Sequence, residues 1–149
     1  MSILQSNFGE DIPQGYPGME ADGELSNIVS RILEGATPCP FGRFVFKGAG
    51  DRGVSLTPSA NVVGVAIAHK GNVVTANRAA DEYAPGDIFP VKERGKIWVA
   101  STTAATKDDP VYVTAAGAIT NVDTGNTAIA GWVFDDTITA AGNVRVVRR

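Results

Sequence analysis

From residue 38 onward the apolar positions come in short runs, each broken by residues that favour turns. Phe44 and Phe46 alternate with Arg43 and Lys47, the period-two pattern of a half-buried strand. Val62-Val63-Gly64-Val65-Ala66-Ile67 is more continuously apolar and suits an interior strand. Further strand signals lie at Asp87–Val91, Lys96–Ala100, Val111–Thr114, Ala128–Phe134 and Val144–Val147. Between them stand Asp51-Arg52-Gly53, Lys70-Gly71-Asn72, Pro85-Gly86-Asp87, Arg94-Gly95, Asp109-Pro110, Gly125-Asn126 and Gly142-Asn143. Gly and Asn tolerate positive φ and Pro presets a turn φ, so these segments read as turns. Closely spaced strands with frequent turns predict an all-β fold: a jelly-roll-like β-sandwich or small barrel, with an extended N-terminal arm and at most one short helix.

Residues 1–37 follow a different pattern. The anchors Ile3, Leu4, Phe8, Ile12, Tyr16 and Met19 are separated by Gly9, Pro13, Gly15, Pro17 and Gly18, and neither helical nor strand periodicity links them. Ordering backbone costs about 1–2 kcal/mol per residue, which so few scattered side chains do not offset alone. The chain therefore divides into an extended arm, 1–37, and a β-sandwich body, 38–149. The arm reads as a segment ordered against another protein subunit, with Phe8, Ile12, Tyr16 and Met19 as anchors and Arg31, its one cation, as a further contact. Within it, Leu25, Ile28, Val29, Ile32 and Leu33 have helical spacing, with Asp22 or Ser26 to cap and Gly35 to stop a helix. Their β-branched members fit a strand nearly as well, so the pattern leaves both open.

Charge sharpens this division. Residues 1–37 carry six carboxylates and one cation, whereas residues 38–149 carry twelve cations against ten carboxylates. That small positive excess, without a Lys/Arg stripe and interleaved aromatics, argues against a nucleic-acid partner. No apolar stretch approaches the roughly 18 residues of a membrane span, and no signal peptide is evident. Cys39 is the single cysteine, which excludes an internal disulfide and fits synthesis in a reducing cytoplasm.

Catalytic chemistry is sparse. Gly48-Ala49-Gly50-Asp51-Arg52-Gly53 matches G-x-G-x-x-G and follows a strand, but Val54–Pro58 does not supply the helix a dinucleotide site needs. It reads as a mobile hairpin loop. His69, the only histidine, and Cys39 lack the spacing of a metal site, and no cofactor or metal is expected. Cys39 reads as a small buried side chain and His69 as a loop-edge residue. The acidic pairs Asp81-Glu82, Asp108-Asp109 and Asp135-Asp136 read as solvated loop ends. Two rival functions remain: a glycan-binding β-sandwich using Trp98, Trp132 or Tyr112 as a platform, and a small hydrolase using Asp81 and Asp87.

An ordered set of segments resembles a known family. Pro17-Gly18-Met19, Asn27–Arg31, Pro40–Val45, Val63–Ala66, Tyr83-Ala84-Pro85-Gly86-Asp87, Arg94–Val99, Asp109–Val113 and Gly117 together resemble the structural cement, or decoration, proteins of tailed-phage heads. The resemblance implies a β-sandwich or jelly-roll body bound over joints between major capsid subunits on the outside of the virion. It implies a homo-oligomer, a dimer before a trimer, and no enzymatic activity. The family has no catalytic residues to transfer.

Overall fold

The computed structural model describes residues 14–149. Phe8 and Ile12 therefore lie outside the described residues. Eleven strands and no helix occur among the described residues: β1 (Asn27–Leu33), β2 (Cys39–Pro40), β3 (Phe44–Lys47), β4 (Gly53–Ser55), β5 (Val62–Ala66), β6 (Glu82–Tyr83), β7 (Ile88–Ser101), β8 (Pro110–Val113), β9 (Ile119–Thr120), β10 (Thr127–Phe134) and β11 (Gly142–Arg148). Strands run in the order β1-β4-β3-β5-β7, and β1 also pairs with β7, so these five close into a small barrel. The barrel is mixed, because β1 and β4 are parallel while the other pairs are antiparallel. Four outer strands, β11-β10-β8-β9, continue from the far half of β7, and β9 meets β7 again at Ser101. The all-β fold read from the sequence is the fold observed, in its barrel form.

β7 is the spine of both layers. Its first half pairs with β1 and its second half, Gly95–Ser101, pairs with β11. The sequence predicts two strands here with a turn at Arg94-Gly95, and the structure has one 14-residue strand instead. Glu93 is an extra residue between the pairs Asn27↔Arg94 and Ile28↔Lys92, and Gly95 takes φ +109°. Gly here marks a bulge that bends a continuous strand from barrel to outer layer, not a chain reversal.

Asn27–Leu33, which the sequence left between helix and strand, is a strand because partners on both sides satisfy its backbone. It pairs with β7 from Asn27 to Ile32 and with β4 at Ile32 and Leu33. The division at residue 37 thus falls after a strand that is integral to the sheet.

The core has two parts on opposite sides of the barrel wall. Leu33, Val45, Val54, Phe89 and Val91 fill the barrel with Cys39, Phe41 and Tyr83 over its end. Phe44, Phe46 and Val65 point outward and pack with Trp132, Phe134, Ile97 and Val146 under the outer strands. Phe44, Val45 and Phe46 are consequently all buried, so β3 is covered on both faces and not half-buried as its alternation predicts. Arg43 and Lys47 flank the buried run; they do not define a solvent face.

Candidate functional site

Residues 14–26 lie along the body as a clasp. Glu20 bridges Ile97 in antiparallel fashion, with Trp98 N–H donating to Met19 O at 2.9 Å and Ala21 N–H to Lys96 O at 3.3 Å. Gly18 N–H donates to Trp98 O, and Gly18 O accepts from Ala68 N–H, both at 2.8 Å. Glycine is needed because the approach is close. A Cβ on Gly15 would stand 2.5 Å from the Trp98 indole, and one on Gly18, at φ +84°, would stand 2.7 Å from the Ala68 nitrogen. Gln14 Nε2 donates to Asn143 O at 2.7 Å and Asn143 Nδ2 donates to Gly15 O at 2.9 Å, which fixes the outer end.

Charge pairs hold the same segment. Lys92, its side chain only 1 % exposed, meets Glu20 at 2.7 Å. Lys96 gathers Asp135 at 2.9 Å, Asp22 at 3.0 Å and Glu24 at 3.5 Å, and Arg149 Nε reaches Glu24 at 2.8 Å. The hydrogen bond to Asp135, then that to Asp22, raises the Lys96 pKa. The Glu24 backbone N–H, then Lys96, lowers that of Asp22. The arm's carboxylates at 20, 22 and 24 are thus paired with the chain's own cations. Sequence reasoning missed this clasp, although a signal exists: acids at every second position, 20, 22 and 24, face cations spaced by four, at 92 and 96.

The predicted contact residues separate. Tyr16 and Met19 are 40 % and 37 % exposed on the clasp, with Lys70 Nζ 4.4 Å above the Tyr16 ring. Arg31 is elsewhere, on β1, paired with Glu93 at 3.2 Å. Another apolar surface was not anticipated. In register, Ile28 opposes Lys92, Ser30 opposes Pro90 and Ile32 opposes Ile88, and paired residues share a sheet face. This is the barrel exterior, the face that Phe44 and Val65 bury under the outer strands. Beyond the cover of those strands Ile28 remains 44 % and Ile88 70 % exposed. Beside them the loop bearing exposed Val73 and Val74 is tied down by Arg78, which forks onto Asp87 at 2.9 and 2.5 Å.

Among the described residues reactive chemistry finds no setting. Cys39 is fully buried, which pushes its thiol pKa up to about 12, and His69 is exposed. Glu34 fills the glycine loop: its carboxylate accepts from Ala49 N–H at 2.7 Å and Gly50 N–H at 2.9 Å. The predicted mobile hairpin is a hairpin between β3 and β4, but a clamped one, with a carboxylate where a phosphate would sit in a nucleotide site. Asp87 is held below the usual carboxylate range by Arg78, so it stays ionised as a turn brace. Asp81 pairs with Lys70 at 2.7 Å. Asp135 is buried, against the expectation of a solvated loop end, because Lys96 compensates it. Trp132 is buried against Phe44, and Trp98 is sandwiched by Gly15 and the Arg145 guanidinium, 5.7 Å from the ring. Neither indole offers an open sugar platform.

The fold has a solved counterpart. A chain from the capsid of Myoviridae phage XM1 superposes with a TM-score of 0.69 at 20 % identity, covering 99 % of this chain and 97 % of that one. The base of the head fibre gp8.5 of bacteriophage phi29 gives 0.47 at 12 % identity, over 84 % and 95 % of the two chains. No curated protein matches the sequence. The sequence does match the phage family described as structural cement protein (E217 gp24/Pam3 gp6), over residues 4–149. With an all-β body, a clasped acidic arm and no catalytic centre among the described residues, the chain belongs to the phage structural cement family, whose members are non-enzymatic components of the virion capsid.

Proposed function

We propose that the protein binds the outer surface of the phage head and stabilises it by clamping neighbouring major capsid subunits. The observation that carries this reading is the uncovered barrel exterior at Ile28 and Ile88, with half-buried Ile32 on the same face and exposed Val73 and Val74 on the loop that Arg78 ties to Asp87. Single exposed apolar residues are ordinary, but a strip of them on a small soluble body marks a contact surface. The flanking charges, Lys92–Glu20 and Arg78–Asp87, are already paired, so the strip offers an electrically balanced face. Glu20, Asp22 and Glu24 are not available to a basic capsid groove, and attraction of that kind is not what seats the body.

The binding unit is a homo-oligomer, a dimer in preference to a trimer. Tyr16 and Met19 extend the contact along the clasp, and Phe8 and Ile12 beyond it act as anchors across the joint. Binding the mature lattice alone stabilises it by RT ln(1 + [L]/Kd), about 4 kcal/mol per site at a thousand-fold excess over Kd. Repetition over a shell multiplies modest contacts through avidity.

The test is cosedimentation of the Ile28→Asp/Ile88→Asp variant with expanded phage heads. Loss of two exposed apolar contacts and introduction of two charges should weaken occupancy about tenfold or more. Unchanged occupancy by a folded variant would reject this face as the seat.

A further inference from the structure

Cations that the clasp does not use converge on another groove. Arg31, Lys47 and Arg148 line, with Asp51, a groove of about 420 Å³ whose apolar wall is Val62 and Val63. Arg31 is shared with Glu93. Among the described residues Lys47 and Arg148 have no carboxylate partner within salt-bridge distance. Arg148 donates only to the Glu93 carbonyl, at 3.4 Å, and lies across Gly131, where a Cβ would come within 3.2 Å of its Nε. The groove therefore suits an extended segment with two carboxylates and large apolar side chains next to them.

The chain contains such a segment, Phe8-Gly9-Glu10-Asp11-Ile12, whose acids are the only ones of the arm not placed by the clasp or by the Glu34 clamp. Its own groove is badly placed for it. The clasp is antiparallel to β7 and hence runs parallel to β11, with Gln14 at Asn143 and Glu24 at Arg149. Gln14 thus stands at the opposite end of β11 from Arg148, about 17 Å away at the usual strand rise. Returning along the body requires a reversal, and a turn occupies about four residues. The three residues that separate Glu10 from Gln14 are too few for a turn and a return of about 17 Å. No such limit applies to the groove of a second copy.

We infer that residues Phe8–Ile12 of one copy seat in the Arg31–Lys47–Arg148 groove of another copy, Glu10 and Asp11 on the cations and Phe8 or Ile12 on the Val62–Val63 wall. Reciprocal exchange closes a dimer and sequential exchange closes a ring. This deepens the clamp reading by naming where the arm ends, and rests on that reading only for its setting on the shell.

Full-length protein carrying Ile12→Cys and Asn61→Cys, oxidised in solution, tests the inference on a non-reducing gel. Cys39 is buried and stays out of the reaction. Disulfide-linked dimers and higher species are expected. A disulfide confined to monomers, or none at all, would overturn the proposal. Adding Lys47→Glu/Arg148→Glu should lower the linked fraction about tenfold, as should adding Glu10→Lys/Asp11→Lys, and mixing the two variants should restore it. Failure of the mixture to recover would also overturn it, and recovery shows that both variants fold. Cosedimentation of the same variants with heads separates the two proposals: head binding without linked species sinks the exchange alone, and linked species without head binding sinks the capsid reading alone.

Discussion

The barrel and the clasp that lies along it are held by different physics. The barrel closes its hydrogen-bond ladder around Leu33, Val45, Val54, Phe89 and Val91, and the part of its other face that carries Phe44, Phe46 and Val65 is buried under Trp132 and Phe134. The clasp buries almost no large side chain and depends on one bridge, two glycines without room for a Cβ, and carboxylates matched to Lys92, Lys96 and Arg149. Apolar burial is non-directional and cooperative across a core, whereas matched charges and close backbone contacts act locally. The clasp should therefore come away while the barrel stays folded.

The largest effect should come from the body. Trp132→Ala removes the biggest buried side chain and should cost about 3–5 kcal/mol of global stability, read by denaturant unfolding. A loss confined to the clasp would break the comparison. Next, Glu20→Gln leaves the Lys92 ammonium buried without its counter-charge, at about 1–3 kcal/mol given the half-exposed position of Glu20. Lys92→Met should be close to neutral, because it removes the buried charge itself. Equal costs for the two substitutions would mean that burial of the ammonium is not what couples arm to barrel.

The pH response sharpens the same distinction. Asp22 has a depressed folded pKa, so its contribution is present above the ordinary value of 3.8 and is lost as pH falls through the folded one. Lys96 has a raised folded pKa, so its contribution is present below 10.5 and is lost as pH rises through the folded value. Amide hydrogens of Gly18, Ala21 and Trp98 should lose protection at both extremes before those of Val99 and Val146. Simultaneous loss throughout the chain would show one cooperative unit. The smallest effect is expected from Lys70→Ala, which removes an exposed pair with Asp81 worth about 0.2–1 kcal/mol, measured as a small shift in Tm.

The residues show how far local pattern reaches. Period-two alternation and turn chemistry located the body strands of four or more residues, because those preferences act over a few residues, and left the two-residue strands β2, β6 and β9 unread. They misplaced Arg94-Gly95, because a bulge and a turn use the same residue types and only the partner strands distinguish them. They could not decide Asn27–Leu33, whose side chains fit either state until β7 and β4 supply hydrogen bonds on both edges. Tyr16 and Met19 were readable from the sequence as candidate contacts, and both lie at the surface. The strip at Ile28 and Ile88 was not, since its exposure depends on where the outer strands stop.

Sequence alone determined that this is an all-β chain without a catalytic or metal-binding motif, with an acidic, glycine-interrupted lead segment, and that its ordered motifs resemble phage cement proteins. These follow from composition and short-range spacing, which are properties of the string itself. Tertiary structure decided that the strands close into a barrel, that Glu34 occupies the glycine loop, and that the acids at 20, 22 and 24 are matched within the molecule. It also left Arg31, Lys47 and Arg148 together in a groove. Each of these depends on residues tens of positions apart meeting in space, and the long bulged strand β7, which carries both layers and the clasp, brings several of them together.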